Sequence, residues 1–189
     1  MTPASPPHFR FREIAEPLRG AIEVSIKDSA LIVIDAQRFY LADGDWPVHD
    51  ILETNKTIEA LVKRYRSVGG EHTPLDCIAG LEALEGEKFI TKAQGSSFVG
   101  TDLDEYLVSK NLKNIVLVGY QPQFCIITTA VYGHHLGYRV FVVRDAIGSH
   151  NLHSWDNARD IKGSELVESA CDLISDALGV VVKATDILN

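Results

Sequence analysis

Three residues stand where chemistry could start: Asp35, Lys92 and Cys125, each directly after a short apolar or β-rich run. Cys125 closes the stretch Gly119-Tyr120-Gln121-Pro122-Gln123-Phe124-Cys125, which follows the run Ile115 to Val118 and leads into a helical pattern from Ile126 to Leu136. A helix N-terminus presents unpaired N–H groups and a partial positive charge. A thiolate placed there is stabilised, and negative charge developing on a substrate can be bound. Asp35 could take the thiol proton, and Lys92 could favour the thiolate while holding the carboxylate ionised. Singly, each has a plainer reading: Cys125 as a small buried hydrophobe, Asp35 as a turn cap, Lys92 as a solvated surface charge. An acid, a base and a nucleophile brought to one edge by separate strands form a more specific signal than any of them alone.

The elements that must deliver them read as follows. Leu31-Ile32-Val33-Ile34 is an apolar run that ends at Asp35, as expected of a strand buried on both faces of a parallel sheet. Asp50 and Glu53 resemble a capping box, and Ile51, Ile58, Leu61, Val62 and Tyr65 recur at helical spacing up to Gly69-Gly70. Lys88 to Thr91 reads as a short strand ending at Lys92, and Thr101 with Asp104 opens a helix carrying Leu103, Tyr106 and Leu107. Ile115 to Val118 feeds the cysteine turn, whose helix stops before Gly137; Val140 to Val143 is the next strand, Ser164 to Leu178 a helix, and Gly179 to Val182 the last strand. Strand and helix alternate, so the class is α/β with a mostly parallel sheet. In such sheets ligands bind beyond the carboxyl ends of the strands, where these three residues stand.

The chain of 189 residues is long enough for one substantial core, and no polar linker divides it. Residues 1–28, with Pro3, Pro6 and Pro7, read as an N-terminal arm in which Ala21 to Ile26 could form an edge strand; residues 29–189 read as the domain. The formal charge of -8 comes from dispersed acids without a basic stripe, so nucleic acid is not an expected partner. Cys77, Cys125 and Cys171 are odd in number and widely spaced, which points to a reducing, cytoplasmic location rather than a disulfide framework; Cys77 and Cys171 read as structural. No apolar run has a leader's form or the roughly 20 residues needed to span a bilayer, so no membrane partner is expected, while leaderless export stays open.

Several of these segments together resemble one family. They are Leu31 through Asp35-Ala36-Gln37, Thr91-Lys92 with Ser96-Ser97-Phe98, Gly119 through Cys125 to Thr128-Thr129-Ala130, Gly137-Tyr138-Arg139-Val140, and Asp145-Ala146. From about Leu31 to the C-terminus the chain resembles the isochorismatase-like cysteine hydrolase superfamily. The resemblance implies a three-layer, Rossmann-like α/β sandwich and a catalytic triad of Asp35, Lys92 and Cys125. Cys125 would attack a carbonyl of a small amide or ureide and form a thioester that water hydrolyses. The peptide from Tyr120 to Gln121 would be cis, and the N–H groups of Gln121 and Cys125 would form the oxyanion hole. Gln37, Phe39, Phe98, Tyr120 and Phe124 flank these positions and are candidates to line a substrate pocket, with core packing the alternative for each. A homo-oligomer, dimer or tetramer, would assemble near the helix after the cysteine, with Val131-Tyr132 and His134-His135 either at the contact or in the core. Metal-binding members carry a carboxylate and two histidines after their second strand; that segment is not recognisable here, so neither a metal nor a cofactor is expected.

Two other functions compete. Isochorismatase proper cleaves a vinyl ether and can rely on an acid such as Asp35 without the thiol. A catalytically silent binding or regulatory homologue is suggested by Pro122, which removes a backbone donor near the presumed oxyanion hole. The chain also departs from the family between Arg66 and Glu87, where no apolar β-branched run occurs and Gly69-Gly70 passes directly into Glu71-His72-Thr73-Pro74. Losing the second strand would expose the edge of the first and uncover the helix packed on it. The expectation is therefore that part of a longer chain is absent here, with a backbone break between Ser67 and Thr73. This region helps form the pocket, so the substrate is the least transferable part of the resemblance.

Overall fold

A computed structural model of the chain describes residues 23–73 and 78–189. In chain order the strands are β1 Ser29–Ile34, β2 Glu71–Thr73, β3 Asn114–Gly119, β4 Arg139–Ile147, β5 Leu152–His153, β6 Asp160–Ile161 and β7 Val180–Val182. The helices are α1 Ile51–Ser67, α2 Leu103–Ser109, α3 Ile127–His135 and α4 Gly163–Leu173. Five strands form one parallel sheet in the order β2-β1-β3-β4-β7, and β5 with β6 makes a separate antiparallel hairpin.

The period of two along each inner strand sorts the apolar side chains into two cores. Leu31, Val33, Val116, Val118, Phe141 and Val143 pack on one face with Ile58, Leu61, Val62 and Tyr65 of α1. Ala30, Ile32, Ile34, Ile115, Leu117 and Val142 pack on the other with α2, α3 and α4, through Leu103, Leu107, Ala130, Val167 and Cys171. The result is the expected three-layer, Rossmann-like α/β sandwich, with Cys171 an apolar packing residue of α4. At about 1.5–3 kcal/mol for each fully buried Val, Leu, Ile or Phe, these two seams are the main source of stability.

The second strand is present, which corrects the expectation that no strand stands between Arg66 and Glu87. After α1 the chain turns, Gly70 N–H donating to the Tyr65 carbonyl at 2.7 Å, and enters β2. There Glu71, His72 and Thr73 pair in parallel with Ala30, Leu31 and Ile32. A three-residue edge strand pairs on one side only, so it needs no apolar run and shows none. Residues 74–77, including Cys77, lie outside the described residues.

Other local expectations are also revised. Lys88 to Thr91 is loop rather than strand. Asp50 starts α1 in a left-handed conformation (φ 56°) with no side-chain cap; its carboxylate is 2.7 Å from His49 Nδ1 instead. Of the proposed edge strand Ala21 to Ile26, residues 23–26 are described, and they make a single bridge from Ser25 to Leu188. Val24 and Ile26 are nevertheless buried, so the end of the arm belongs to the core. The rest of the arm lies outside the described residues. On α3 Gly133 faces the sheet, where a Cβ would stand 2.6 Å from Ile115 Cδ1, whereas Tyr132, His134 and His135 face outward.

Candidate active site

Asp35 follows β1 directly and sits at φ 47°, a left-handed conformation that Asp tolerates better than most residues. Its carbonyl accepts from Gln37 N–H at 2.8 Å, which turns the chain at the end of β1, beside a neighbouring strand. That neighbour, β3, ends at Gly119 with φ 112°; a Cβ there would stand 1.9 Å from the Ile34 carbonyl oxygen, so this crossing of two strand ends requires glycine. The Tyr120–Gln121 peptide is cis, and Tyr120 N–H donates to Ile34 O at 2.9 Å.

Cys125 then lies within a wide turn, Pro122–Ile126, in which Ile126 N–H reaches back five residues to Gln121 O at 3.1 Å. It therefore precedes α3 rather than standing in its first regular turn. Pro122 occupies the first position of that turn, where a missing N–H costs least, so the donor it lacks is not one the turn depends on.

Lys92 comes from a loop clamped onto α3. Ser97 N–H donates to Thr129 Oγ1 at 3.0 Å, Phe98 stacks on Tyr138 at 5.6 Å, and the Phe124 ring covers Gly95. The ammonium uses its donors on three groups: Asp35 Oδ2 at 2.8 Å, Cys125 Sγ at 3.4 Å and the Gln94 carbonyl at 3.3 Å. The Lys92 and Asp35 side chains are only 8% and 9% exposed, so this is a desolvated ion pair with the sulfur bonded to it.

Burial pushes the Cys125 thiol up to about 11; a hydrogen bond to Asp35 and its charge act the same way, while Lys92 opposes them without prevailing. This balance favours a thiol at rest over the stabilised thiolate expected of a helix N-terminus. Burial works to lower the Lys92 ammonium, but Asp35 and then Cys125 outweigh it and the net direction is up, so the cation persists at neutral pH. Since only the thiolate is alkylated, the rate of Cys125 modification by iodoacetamide is expected to keep climbing with pH towards about 11. A plateau by pH about 9, as for an ordinary thiol, would show that the charge balance of the site is otherwise.

The remaining candidates divide. Gln121 is buried, with its Oε1 accepting from His150 N–H at 3.3 Å. Gln37 is half-buried before the short turn Arg38–Tyr40, Phe39 is an exposed ring 5.4 Å from Trp46, and Phe124 is exposed. Tyr120 is wholly buried on the α1 side, donating its hydroxyl to Asn55 Oδ1 at 2.6 Å, and Phe98 is taken up by its stack on Tyr138. Sequence reasoning passed over Tyr40, whose burial and nearness to Asp35 and then Cys125 push its phenol up to about 12. It also passed over His150, which burial keeps below the usual histidine range, beneath the Trp46 ring at 5.7 Å. Nothing in periodicity marks either one.

A cleft of about 320 Å³ opens between the start of α1, the end of β4 and the start of α4, lined by His49, Thr54, Arg144, Asp145 and Ser164 among others. It contains none of Asp35, Lys92 and Cys125. Among the described residues no group of three or more His, Cys, Asp or Glu could hold a metal ion, and no helix is long and apolar enough to cross a membrane.

Comparison with known proteins gives the arrangement a family. The isochorismatase domain matches residues 29–162. The secreted isochorismatase effector Isc1 of Verticillium dahliae is 33% identical over 181 residues, covering 86% of this chain and 92% of that protein. The crystal structure of an isochorismatase from Pseudomonas putida superposes with a TM-score of 0.88 at 23% identity, covering 96% of this chain and 100% of that one. A cysteine hydrolase from Pseudomonas syringae superposes with a TM-score of 0.80 at 18% identity over 86% of this chain and 91% of that one. These last two support the fold, and the match over residues 29–162 carries the membership: the chain belongs to the isochorismatase family of hydrolases.

Proposed function

We propose that the protein hydrolyses a small-molecule amide, ureide or related C–N bond through a thioester on Cys125. The observation that carries this reading is the single ammonium of Lys92 bonded to both Asp35 and the Cys125 sulfur in a desolvated cluster. The thiol proton passes to Asp35 as sulfur attacks the carbonyl, and Lys92 offsets the charge left behind. The oxyanion takes hydrogen bonds from the N–H groups of Gln121 and Cys125. Collapse expels the leaving nitrogen with the proton from Asp35, and water, deprotonated by the same carboxylate, releases the acid. The test is a turnover screen of nicotinamide, several ureides and isochorismate, run in parallel on Cys125→Ala.

A second reading, vinyl-ether cleavage led by Asp35 as acid, is favoured by the raised thiol and by the name of the Verticillium relative. That relative is described as secreted, whereas a reduced Cys125 suits the cytoplasmic location proposed for this chain. No described contact fixes the assembly. Tyr132 and Leu136, 47% and 49% exposed around the end of α3, support a homo-oligomer built there. Light scattering is expected to give a dimer or tetramer, and Tyr132→Asp with Leu136→Asp a monomer; a monomeric parent would remove this part of the reading.

A further inference from the structure

The loop that carries Lys92 meets the cysteine's own segment at two points. The Lys92 ammonium is 3.4 Å from the Cys125 sulfur, and further along the loop Ser97 N–H donates to Thr129 Oγ1 at 3.0 Å. Between them Gly95 lies so close that a Cβ would stand 2.9 Å from the Phe124 ring and 3.1 Å from Thr128 Oγ1. Thr129 is 0% exposed and Ser97 2%, so the Ser97 N–H must find its acceptor within the protein. The Thr129 hydroxyl in turn donates to Ser97 Oγ at 3.3 Å. A helical threonine ordinarily bonds a carbonyl of its preceding turn, as Thr128 does with Phe124 O at 2.6 Å. Thr129 directs both sides of its hydroxyl across to the loop instead. Ile90 and the Phe98–Tyr138 stack also pack the loop down, but apolar contacts set no direction, whereas the paired bonds at Thr129 fix the loop's register along α3.

We propose that Thr129 is a positioning residue for the reaction: its paired hydrogen bonds with Ser97 hold the Lys92 ammonium at the Cys125 sulfur. The catalytic consequence rests on the covalent reading above. In that reading the thiol proton passes to Asp35 as the S–C bond forms, and Lys92 offsets the charge on the pair during the transfer. The ammonium also holds Asp35 Oδ2 at 2.8 Å, but a lysine stem is flexible, and that ion pair by itself leaves the distance to sulfur free. Pinning the loop to Thr129 removes that freedom. The continuous turn and helix from Pro122 to His135 then carries both the nucleophile and the anchor of its counter-charge. Thr129 acts through Lys92 and not on the sulfur itself.

Thr129→Val replaces the hydroxyl by a methyl group of similar size. Alkylation of Cys125 by iodoacetamide at about pH 8 reads the thiolate, which Lys92 favours against burial and Asp35. The variant is expected to alkylate about 3- to 10-fold more slowly, and its turnover loss to fall on kcat with KM changed less than about twofold. A hydroxyl that merely supports the fold would act whether or not the ammonium is there, so the same change is made in Lys92→Met. In that background it is expected to alter alkylation less than about twofold, since the group it acts through is gone. Lys92→Met combined with Asp35→Asn, which leaves no orphaned charge, is the second background should Lys92→Met alone not fold. Thr129→Ser keeps the hydroxyl and is expected to react within about twofold of wild type. Should Thr129→Val melt early, Ser97→Ala removes the acceptor of the hydroxyl proton and leaves the backbone bond; slowing of about two- to threefold is expected, again only with Lys92 present. Equal slowing in a background that lacks Lys92, or a Thr129→Ser protein as slow as Thr129→Val, would overturn the proposal in favour of packing around the thiol. An unchanged rate in whichever of Thr129→Val and Ser97→Ala folds would overturn it outright. Turnover that survives in Cys125→Ala would sink the covalent reading alone, because the coupling of Thr129 to Lys92 is read on alkylation and stands or falls by itself.

Discussion

Cys125→Ala is expected to lose amide or ureide turnover by on the order of 10⁴-fold or more, with the fold intact. The argument is one of atoms rather than of contacts. In the proposed route sulfur is the group bonded to the acyl carbon between the two half-reactions, and alanine offers nothing in its place. Stability should change little, because a 6% exposed thiol replaced by a methyl group leaves a gap of about one sulfur atom and relieves Asp35 of a protonated neighbour. Asp35→Asn provides the contrast. The amide cannot take the thiol proton or return it to the leaving group, so both C–N hydrolysis and vinyl-ether cleavage are expected to fail. The pair of variants therefore sorts the two enzymatic readings: a substrate lost only with Asp35 identifies acid-led cleavage, and one lost with either identifies covalent catalysis. Full amide turnover by Cys125→Ala would remove the thioester from the mechanism.

Asp35 and Cys125 were visible in the sequence because their strands are interior. β1 and β3 pair on both sides and pack on both faces, so they must be written as unbroken apolar runs, and whatever follows such a run stands at the sheet edge. β2 escaped notice for the converse reason. It is an edge element of three residues whose pairing is through backbone groups, which any side chain permits. Lys92 reaches Asp35 and Cys125 by a different route from the one its sequence suggests. No strand delivers it; contacts from Ser97, Phe98 and Gly95 to α3 and the following loop hold it, and such long-range contacts leave no local period. The same applies to Tyr40, which is buried because Tyr120 arrives from another strand, and to the turn at Cys125, whose five-residue closure imitates a helix start in sequence. The charge state was the least legible feature of all. A rule about helix ends favoured a thiolate, whereas burial and the carboxylate at hand decide for a thiol.

Lys92→Met is expected to destabilise the protein by about 3–5 kcal/mol, the range seen when one partner of a buried ion pair is removed. Methionine fills much of the volume of the lysine stem, so packing is a minor part of the loss. The cost lies in the Asp35 carboxylate, 9% exposed and deprived of its 2.8 Å partner. Protonation would neutralise that carboxylate. The deficit against wild type should therefore shrink as pH falls and grow as it rises, since the native variant then binds a proton that the unfolded chain gives up more readily. Combining Lys92→Met with Asp35→Asn removes the orphaned charge and is expected to restore more than half of the loss, whereas two independent sites would show additive losses. Urea unfolding of the four proteins at about pH 5 and 8 measures both effects. Additive losses with no dependence on pH would mean that Lys92 and Asp35 are neighbours without being a pair, and the carboxylate would then need another counter-charge to stay ready for the thiol proton. If the coupling is found, the same pair that costs stability when broken is the one that receives the proton from Cys125 and balances the charge as sulfur attacks.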